Sequence, residues 1–407
     1  MKTFLLSIVI FSILFSVQSV FAQPEPQIIP GQYIVILKES AARGVIFQQT
    51  PAANDRARKF QLNHTTRQAN LATVRKITTQ TAINPANILA QYADVTVGFA
   101  AKLSDANLRA LKTNPDVAGI YPDYAVSVSY SATAASECSD YGSYRAQVTT
   151  CAITKAGGFA NGAGKPAWIW ILDTGIDLTH PDLNVQTNAT YAKSFIAGQT
   201  VNDLNGHGTH VAGIAAAKNN TIGVVGVSAG ATVVPVKVLA NSGTGAFSAI
   251  LSGLNHVAQH DIQGDVVNLS IGAYPIANCE NSNPAIRNAI KALGNAGTHV
   301  VMASGNNAGN ATFNFPGCVN GVKVYTVGSI TCSNTCSGFA NWGAPPLDWV
   351  AVGSDVYSTY KSGGYATLSG TSMAAPVVAG IIHARGGAPV SAGNVICGGA
   401  VKKIAKR

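Results

Sequence analysis

The sequence predicts an α/β protein in three layers, a mostly parallel central sheet covered by helices on both faces, preceded by a small α+β unit. Three observations predict it. From Ala167 onward, short apolar runs alternate with amphipathic stretches of helical period, as expected for strands buried on both faces and joined by crossover helices. Before residue 130 two strand–helix pairs fill roughly a hundred residues, too few for such a sheet. The seven cysteines, Cys138, Cys151, Cys279, Cys318, Cys332, Cys336 and Cys397, all lie after that point.

Residues 1–22 open the chain with Lys2, an apolar run "FLLSIVIFSILFSV", and Val20 and Ala22 at the −3 and −1 positions of a cleavage site. This is the pattern of a secretory signal peptide. Residues 31–124 form a cysteine-free unit. Strands are expected at "QYIVILK", "VTVGFAAKL" and "VAGIYPD", and helices at "NDRARKFQLNHTTRQANLATVRK" and at "SDANLRALKTNP", the latter capped by Ser104. From Tyr124 to Lys165 the pattern weakens into a linker or irregular arm. Strands then follow at 167–173, 232–239, 265–272 and 299–306, with helices at 206–218, 247–260 and 284–297. In an open parallel sheet the active site lies at the carboxyl ends of the strands.

Of the 407 residues, 47% are apolar and 11% charged, with 41 glycines, which describes a large buried core with many tight turns. The net charge is +9, but no basic run is dense enough for nucleic acid or an anionic membrane. In an oxidising compartment the cysteines form disulfides. The simplest expectation joins sequence neighbours, 138–151, 279–318 and 332–336, leaving Cys397 free. Asn-x-Ser/Thr sequons occur at Asn63, Asn188, Asn219, Asn268 and Asn310. Asn268 falls in an expected buried strand.

Three polar residues stand at ends of these elements. Asp173 closes a strand in "ILDTGID", with Asp177 as a nearby competitor. His207 opens a helix in "NGHGTHVAG", and Ser372 opens another in "LSGTSMAAPVVAG". A nucleophilic serine needs a base, the base an orienter, and the oxyanion a set of donors. These residues supply the first three. A metal reading stays open, because His207 and His210 are three apart on one helix, although the general-base Glu of zinc hydrolase motifs is missing.

"WILDTGIDLTHPDL", "NGHGTHVAGIAA" and "SGTSMAAPVVAG" resemble the three motif blocks of the subtilisin-like serine proteases, in the chain order Asp, His, Ser. "YIVILK" and "VGFAAKLSDANLRALKTNPDVAGIYPD" are similar to that family's inhibitory, fold-assisting propeptide, a ferredoxin-like unit. The resemblance implies a signal peptide at 1–22, a propeptide at 23–130 and a peptidase domain at 131–407, with a cut near Tyr130–Ser131. It implies Asp173, His207 and Ser372 as catalytic residues, and the Asn306 amide and the Ser372 N–H as the oxyanion hole. Substrate would bind as an added strand between Ser270, Ile271 and Gly272 on one side and Gly243, Thr244 and Gly245 on the other. Phe247 would flank S4, and Ser270–Gly272 with Ala303, Ser304 and Gly305 would wall S1, small and uncharged, for a broad or apolar P1 preference.

"AAAKNNTIGVVGV" resembles the family's calcium loop. It implies a structural Ca²⁺ held by the Asn220 side chain, the carbonyls of Lys218, Ile222 and Val224, and the Asp182 carboxylate, an oxygen-only set. The ligand from the N-terminal arm cannot be assigned. The whole reading is a secreted, monomeric serine endopeptidase acting on proteins and peptides, inhibited by its own propeptide, with no nucleic-acid partner and no membrane association after signal removal. The rival from another class is an inactive homologue that binds peptides in the cleft.

Overall fold

A computed structural model describes residues 27–42, 55–128, 131–132, 146–343 and 345–407. The expected signal peptide (1–22), Cys138 and Tyr130 lie outside the described residues.

The N-terminal unit is an antiparallel sheet backed by helices Arg56–Leu62, His64–Gln80 and Asp105–Thr113. Its strands run in the order Val117–Ser127, Ile28–Leu37, Val97–Lys102, Ile88–Ala93. Alternation along these strands serves two masters. Val35, Phe99 and Leu111 join Val74 and Ile77 in the unit's own core, whereas Ile34, Ala100 and Val126 pack against the larger domain. Ser104 caps its helix as expected, in a capping box with Asn107. The single helix expected over 54–76 is instead two, divided at Asn63, and the strand Ile88–Ala93 was not anticipated.

The larger domain holds a sheet in the order Val390–Cys397, Ala400–Lys406, Leu347–Val352, Val324–Ile330, His299–Ala303, Val266–Leu269, Ile169–Asp173, Thr232–Lys237, Asn184–Val185. Every pairing is parallel except the closing hairpin of the first two. Successive residues of the central strands face opposite layers. Ile169 and Ile171 pack with helices His207–Ala216 and Thr371–Arg385, while Trp170 and Leu172 pack with helices Phe247–His260 and Pro284–Ala296. Asn268 is fully buried in its strand.

The cysteines are joined differently from the sequence expectation. Cys151 pairs with Cys332 and Cys336 with Cys397, while Cys279–Cys318 is as expected. Cys332 and Cys336 flank a tight turn closed by the Thr331 N–H on the Thr335 carbonyl. The turn sends one cysteine to the helix Cys151–Lys155 and the other to the C-terminal hairpin, so chain neighbours become staples to distant segments. Cys397 is bonded, not free.

Candidate active site

Asp173 is the last residue of its strand, and it is wholly buried. Its Oδ1 accepts from the Thr174 N–H at 2.7 Å and from His207 Nδ1 at 2.8 Å. His207 begins its helix, which starts against the turn after Asp173. A Cβ at Gly208 would fall on the Gly175 carbonyl oxygen, so only glycine permits this approach. Asp203 holds the helix start in place. Its Oδ1 accepts from Asn205 N, Gly206 N and Thr174 Oγ1, and its Oδ2 from Thr209 N and Thr209 Oγ1, at 2.7–2.9 Å. Negative charge at a helix N-terminus is favourable.

Lys237, fully buried, stands beside Asp173 in the neighbouring strand and donates to the Thr174 carbonyl. Burial lowers its pKa, and the nearby Asp203 and Asp173 carboxylates oppose that shift. Neither Asp203 nor Lys237 was legible as part of this site. Asp177 takes a different role from Asp173: it accepts from Thr179 N and Oγ1 and from Gly363 N. His210 turns away from His207, its Nε2 within 3.0 Å of the Val356 and Ala366 carbonyls. Burial, then the adjacent His207, lowers its pKa to about 3. Its Nε2 is used to join two strands, and no group of three or more His, Cys, Asp or Glu side chains able to hold a metal ion occurs among the described residues.

Ser372, the second residue of the helix Thr371–Arg385, lies at the same edge. Its hydroxyl donates to the Ser270 carbonyl at 3.1 Å, and its own carbonyl accepts from Ser270 Oγ at 2.8 Å. Asn268 Nδ2 donates to Ser270 Oγ at 2.8 Å, so the buried Asn268 positions the serine that holds Ser372. Asn306 Oδ1 accepts from Thr371 N and Thr371 Oγ1, both at 2.8 Å. With its oxygen so engaged, the amide presents its NH₂ as a donor beside the helix N-terminus.

The strand Val117–Ser127 of the N-terminal unit extends into this cleft. It pairs antiparallel with Thr244–Ala246, with Ser127 opposite Thr244 and Val126 opposite Gly245, and Val128 N–H donates to Gly243 O at 3.0 Å. Ser127 also bridges to Gly272 on the other side. Ser131 and Ala132 pair with Ser369 and Leu368, next to Ser372. Phe247 is fully buried beneath the strand, its ring 5.5 Å from Tyr124 and 5.1 Å from Phe315. Ile271, Ala303 and Ser304 are buried along the expected S1 walls. Between the walls stands Asn314, which sequence reasoning missed. A Cβ at Gly272 or Gly305 would crowd its amide (2.9 and 2.7 Å from Oδ1), and that buried oxygen has no hydrogen-bond partner among the described residues.

The loop expected to hold a cation brings together Asp182, Lys218, Asn220, Ile222 and Val224. The Asp182 carboxylate accepts from Asn220 Nδ2, Val224 N and Tyr365 OH, and burial raises its pKa to about 6. Ile222 N–H donates to Asn220 Oδ1. From the N-terminal arm, Gln147 reaches this loop. Its Nε2 lies 2.8 Å from Lys218 O, 3.4 Å from Asn220 Oδ1 and 3.3 Å from Val224 O. An NH₂ with two hydrogens faces three acceptors there, and the same carboxamide turned by half a rotation offers its oxygen instead. This oxygen-rich cradle fits a hard cation.

Two family models match the chain: the subtilase family over residues 164–384 and peptidase inhibitor I9 over residues 32–129. Subtilisin DY of Bacillus licheniformis is 39% identical over 221 residues, 53% of this chain and 75% of that protein. M-protease of Shouchella clausii is 41% identical over 219 residues, 54% of this chain and 53% of that protein. Subtilisin amylosacchariticus of Bacillus subtilis is 33% identical over 291 residues, 69% of this chain and 68% of that protein.

Proposed function

The chain belongs to the subtilase family and is a serine endopeptidase with an I9 propeptide, and from that premise we propose that it is a secreted precursor that cleaves itself near Tyr130–Ser131 through Asp173, His207 and Ser372. The observation that carries this reading is the 2.8 Å Asp173–His207 hydrogen bond, wholly buried, at the same sheet edge as Ser372.

In this mechanism Ser372 exchanges its hydrogen bond to Ser270 O for one to His207, which takes the proton as Ser372 Oγ attacks the scissile carbonyl. Asp173 holds the ring by Nδ1 and stabilises the imidazolium. The tetrahedral oxyanion is received by the Ser372 N–H, at a helix N-terminus, and by the Asn306 amide. His207 then returns the proton to the leaving amine. Substrate enters as a strand between 243–245 and 270–272, where main-chain hydrogen bonds give affinity. The pairing of Val117–Ser127 on one side of Ser372 and Ser131–Ala132 on the other supports the cut site.

The S1 walls carry no acidic residue, which supports a broad or apolar P1 preference. Asn314 Oδ1 adds one acceptor there, suited to a phenolic hydroxyl. Asp182, Lys218, Asn220, Ile222 and Val224, joined by Gln147, would hold a structural Ca²⁺ that pins the N-terminal arm to the domain and takes no part in the chemistry. Export is supported by the signal-like residues 1–22 and by disulfides closing the catalytic domain; no helix of the described residues is long and apolar enough to cross a membrane.

The test follows the full chain, without residues 1–22, by intact mass beside its Ser372→Ala variant. The expected result is a fragment beginning near Ser131 from the first and none from the second, with a serine-directed phosphonate labelling only the first. Cleavage of both alike, or of neither, would overturn the reading.

A further inference from the structure

Asp265 precedes the strand Val266–Leu269, at the end of the sheet opposite Ser270. Its carboxylate is fully buried and fixed by three donors of the catalytic domain itself. Trp168 N donates to Oδ1 at 2.8 Å, Trp170 Nε1 to Oδ2 at 2.7 Å and Ile262 N to Oδ2 at 3.2 Å. Onto this carboxylate the propeptide lays Arg56, the first residue of its helix. Arg56 Nη1 donates to Oδ2 at 2.5 Å and Nη2 to Oδ1 at 2.8 Å. The same nitrogens reach the His260 carbonyl at 3.0 Å and the Pro166 carbonyl at 2.8 Å. The guanidinium carbon lies 3.7 Å from the Trp168 ring centroid.

Together these features favour a guanidinium over an ammonium: two parallel bonds to one carboxylate, two further carbonyl acceptors, and an aromatic face for the plane. The receptor is also independent of its occupant, since Asp265 is oriented by Trp168, Trp170 and Ile262. The strand Ile169–Asp173 separates it from the catalytic edge by about 15 Å.

We propose that the catalytic domain carries a guanidinium-binding site at the amino edge of its sheet. It retains the cleaved propeptide through Arg56 and takes a free alkylguanidinium when Arg56 is withdrawn. The retention role rests on the reading that the propeptide is cleaved and inhibits; the binding site does not.

Binding is tested on the full chain carrying Ser372→Ala, with ethylguanidinium and ethylammonium as probes and tryptophan fluorescence as readout. With Arg56→Ala added, ethylguanidinium should bind saturably and at least about tenfold more tightly than ethylammonium, while the chain retaining Arg56 shows no saturable signal. No saturable binding, equal binding of the two cations, or the same signal with Arg56 present would overturn the site.

Retention is tested on the active chain, following cleavage by mass and propeptide release by size-exclusion chromatography. Arg56→Ala should leave the cleavage rate unchanged and shorten the interval before release about tenfold. Arg56→Lys, which keeps the charge and loses the fork, should fall between. Ethylguanidinium should shorten the interval for the unaltered chain and not for Arg56→Ala. Equal intervals in all three chains would overturn retention. An absence of cleavage would instead sink the proposed self-processing and leave the binding result standing.

Discussion

The two parts of this chain are held by different chemistry. The catalytic domain is closed by disulfides across 181, 39 and 61 residues, whereas residues 23–130 contain no cysteine at all. What joins the parts is non-covalent beyond the chain itself, and includes strand pairing in the cleft, an apolar sheet face, side-chain hydrogen bonds such as Gln259 to Asp94, and the pairs Arg56–Asp265 and Lys59–Asp261. Disulfides restrict the unfolded chain and persist outside the cell. Strand pairing and ion pairs vanish once a partner can diffuse away. The difference shows which part is built to last and which to leave.

The comparison breaks most completely if the parts are never severed. Asp173→Asn should lower kcat about 10⁴-fold, because the base loses its oriented tautomer. The propeptide then stays attached over the hours in which the unaltered chain is fully cut, as intact mass will show. Full-rate cleavage by this variant would remove Asp173 from the mechanism. Next comes Asn306→Ala. It should slow cleavage about 10²–10³-fold, the range measured for one oxyanion donor in a subtilisin, while peptide KM changes little. A change confined to KM would make Asn306 a binding residue instead.

Stability gives the third contrast. Replacing both Cys151 and Cys332 by Ala should cost the catalytic domain about 2–4 kcal/mol, or roughly 5–10 °C in Tm for a domain of this size. Calorimetry of the cleaved complex should show that loss in the catalytic-domain transition. An unchanged Tm would mean that this staple constrains nothing. A smaller effect is expected at Asn314. Asn314→Leu should lower the ratio of kcat/KM for Tyr over Phe at P1 about tenfold, the scale of one lost hydrogen bond to a substrate hydroxyl. An unmoved ratio would put the Asn314 oxygen outside the pocket.

What the sequence disclosed follows from range. Asp173, His207 and Ser372 each sit at the end of an element whose own residues specify it, so short motifs placed all three at element ends. The layered sheet was legible because strands such as Ile169–Asp173 are apolar on both faces. Of the disulfides only Cys279–Cys318 was legible, because a tight turn sends Cys332 and Cys336 to different segments. Gln147 reaches a loop more than 70 residues away, and no local pattern marks that approach. Arg56 reads as a solvated helix residue until a tryptophan and a buried carboxylate from another domain are set against it. Asn63 illustrates a local failure. No glycine or proline marks a break between Asp55 and Lys76, but the helix stops at Leu62 and restarts at His64, and Arg56 and Lys59 face the catalytic domain.

The contact between the parts also carries a pH dependence, the smallest effect and the one that resolves them best. His260 stacks on Phe60 of the propeptide, with ring centroids 5.1 Å apart, and meets Tyr191 and His256 on its own side. Burial, then His256, Arg67, Lys59 and Arg56, lowers its pKa to about 3. Separation removes Phe60, Arg67, Lys59 and Arg56 from the ring, which raises its pKa toward the ordinary histidine range, so the separated domain binds more protons than the complex. The hold is therefore complete above pH 6.5 and weakens as pH falls toward 3. The Asp94 and Asp261 carboxylates, raised by burial against the pull of Arg67 and Lys59, take up protons in the complex and act in the opposite sense. Size-exclusion chromatography of the cleaved complex should show release about tenfold faster at pH 4.5 than at pH 7. His260→Phe keeps the stack on Phe60 and loses the titration, so its release should be flat or slower as pH falls. An acid acceleration that survives this substitution would move the sensitivity to the carboxylates and leave His260 as packing alone.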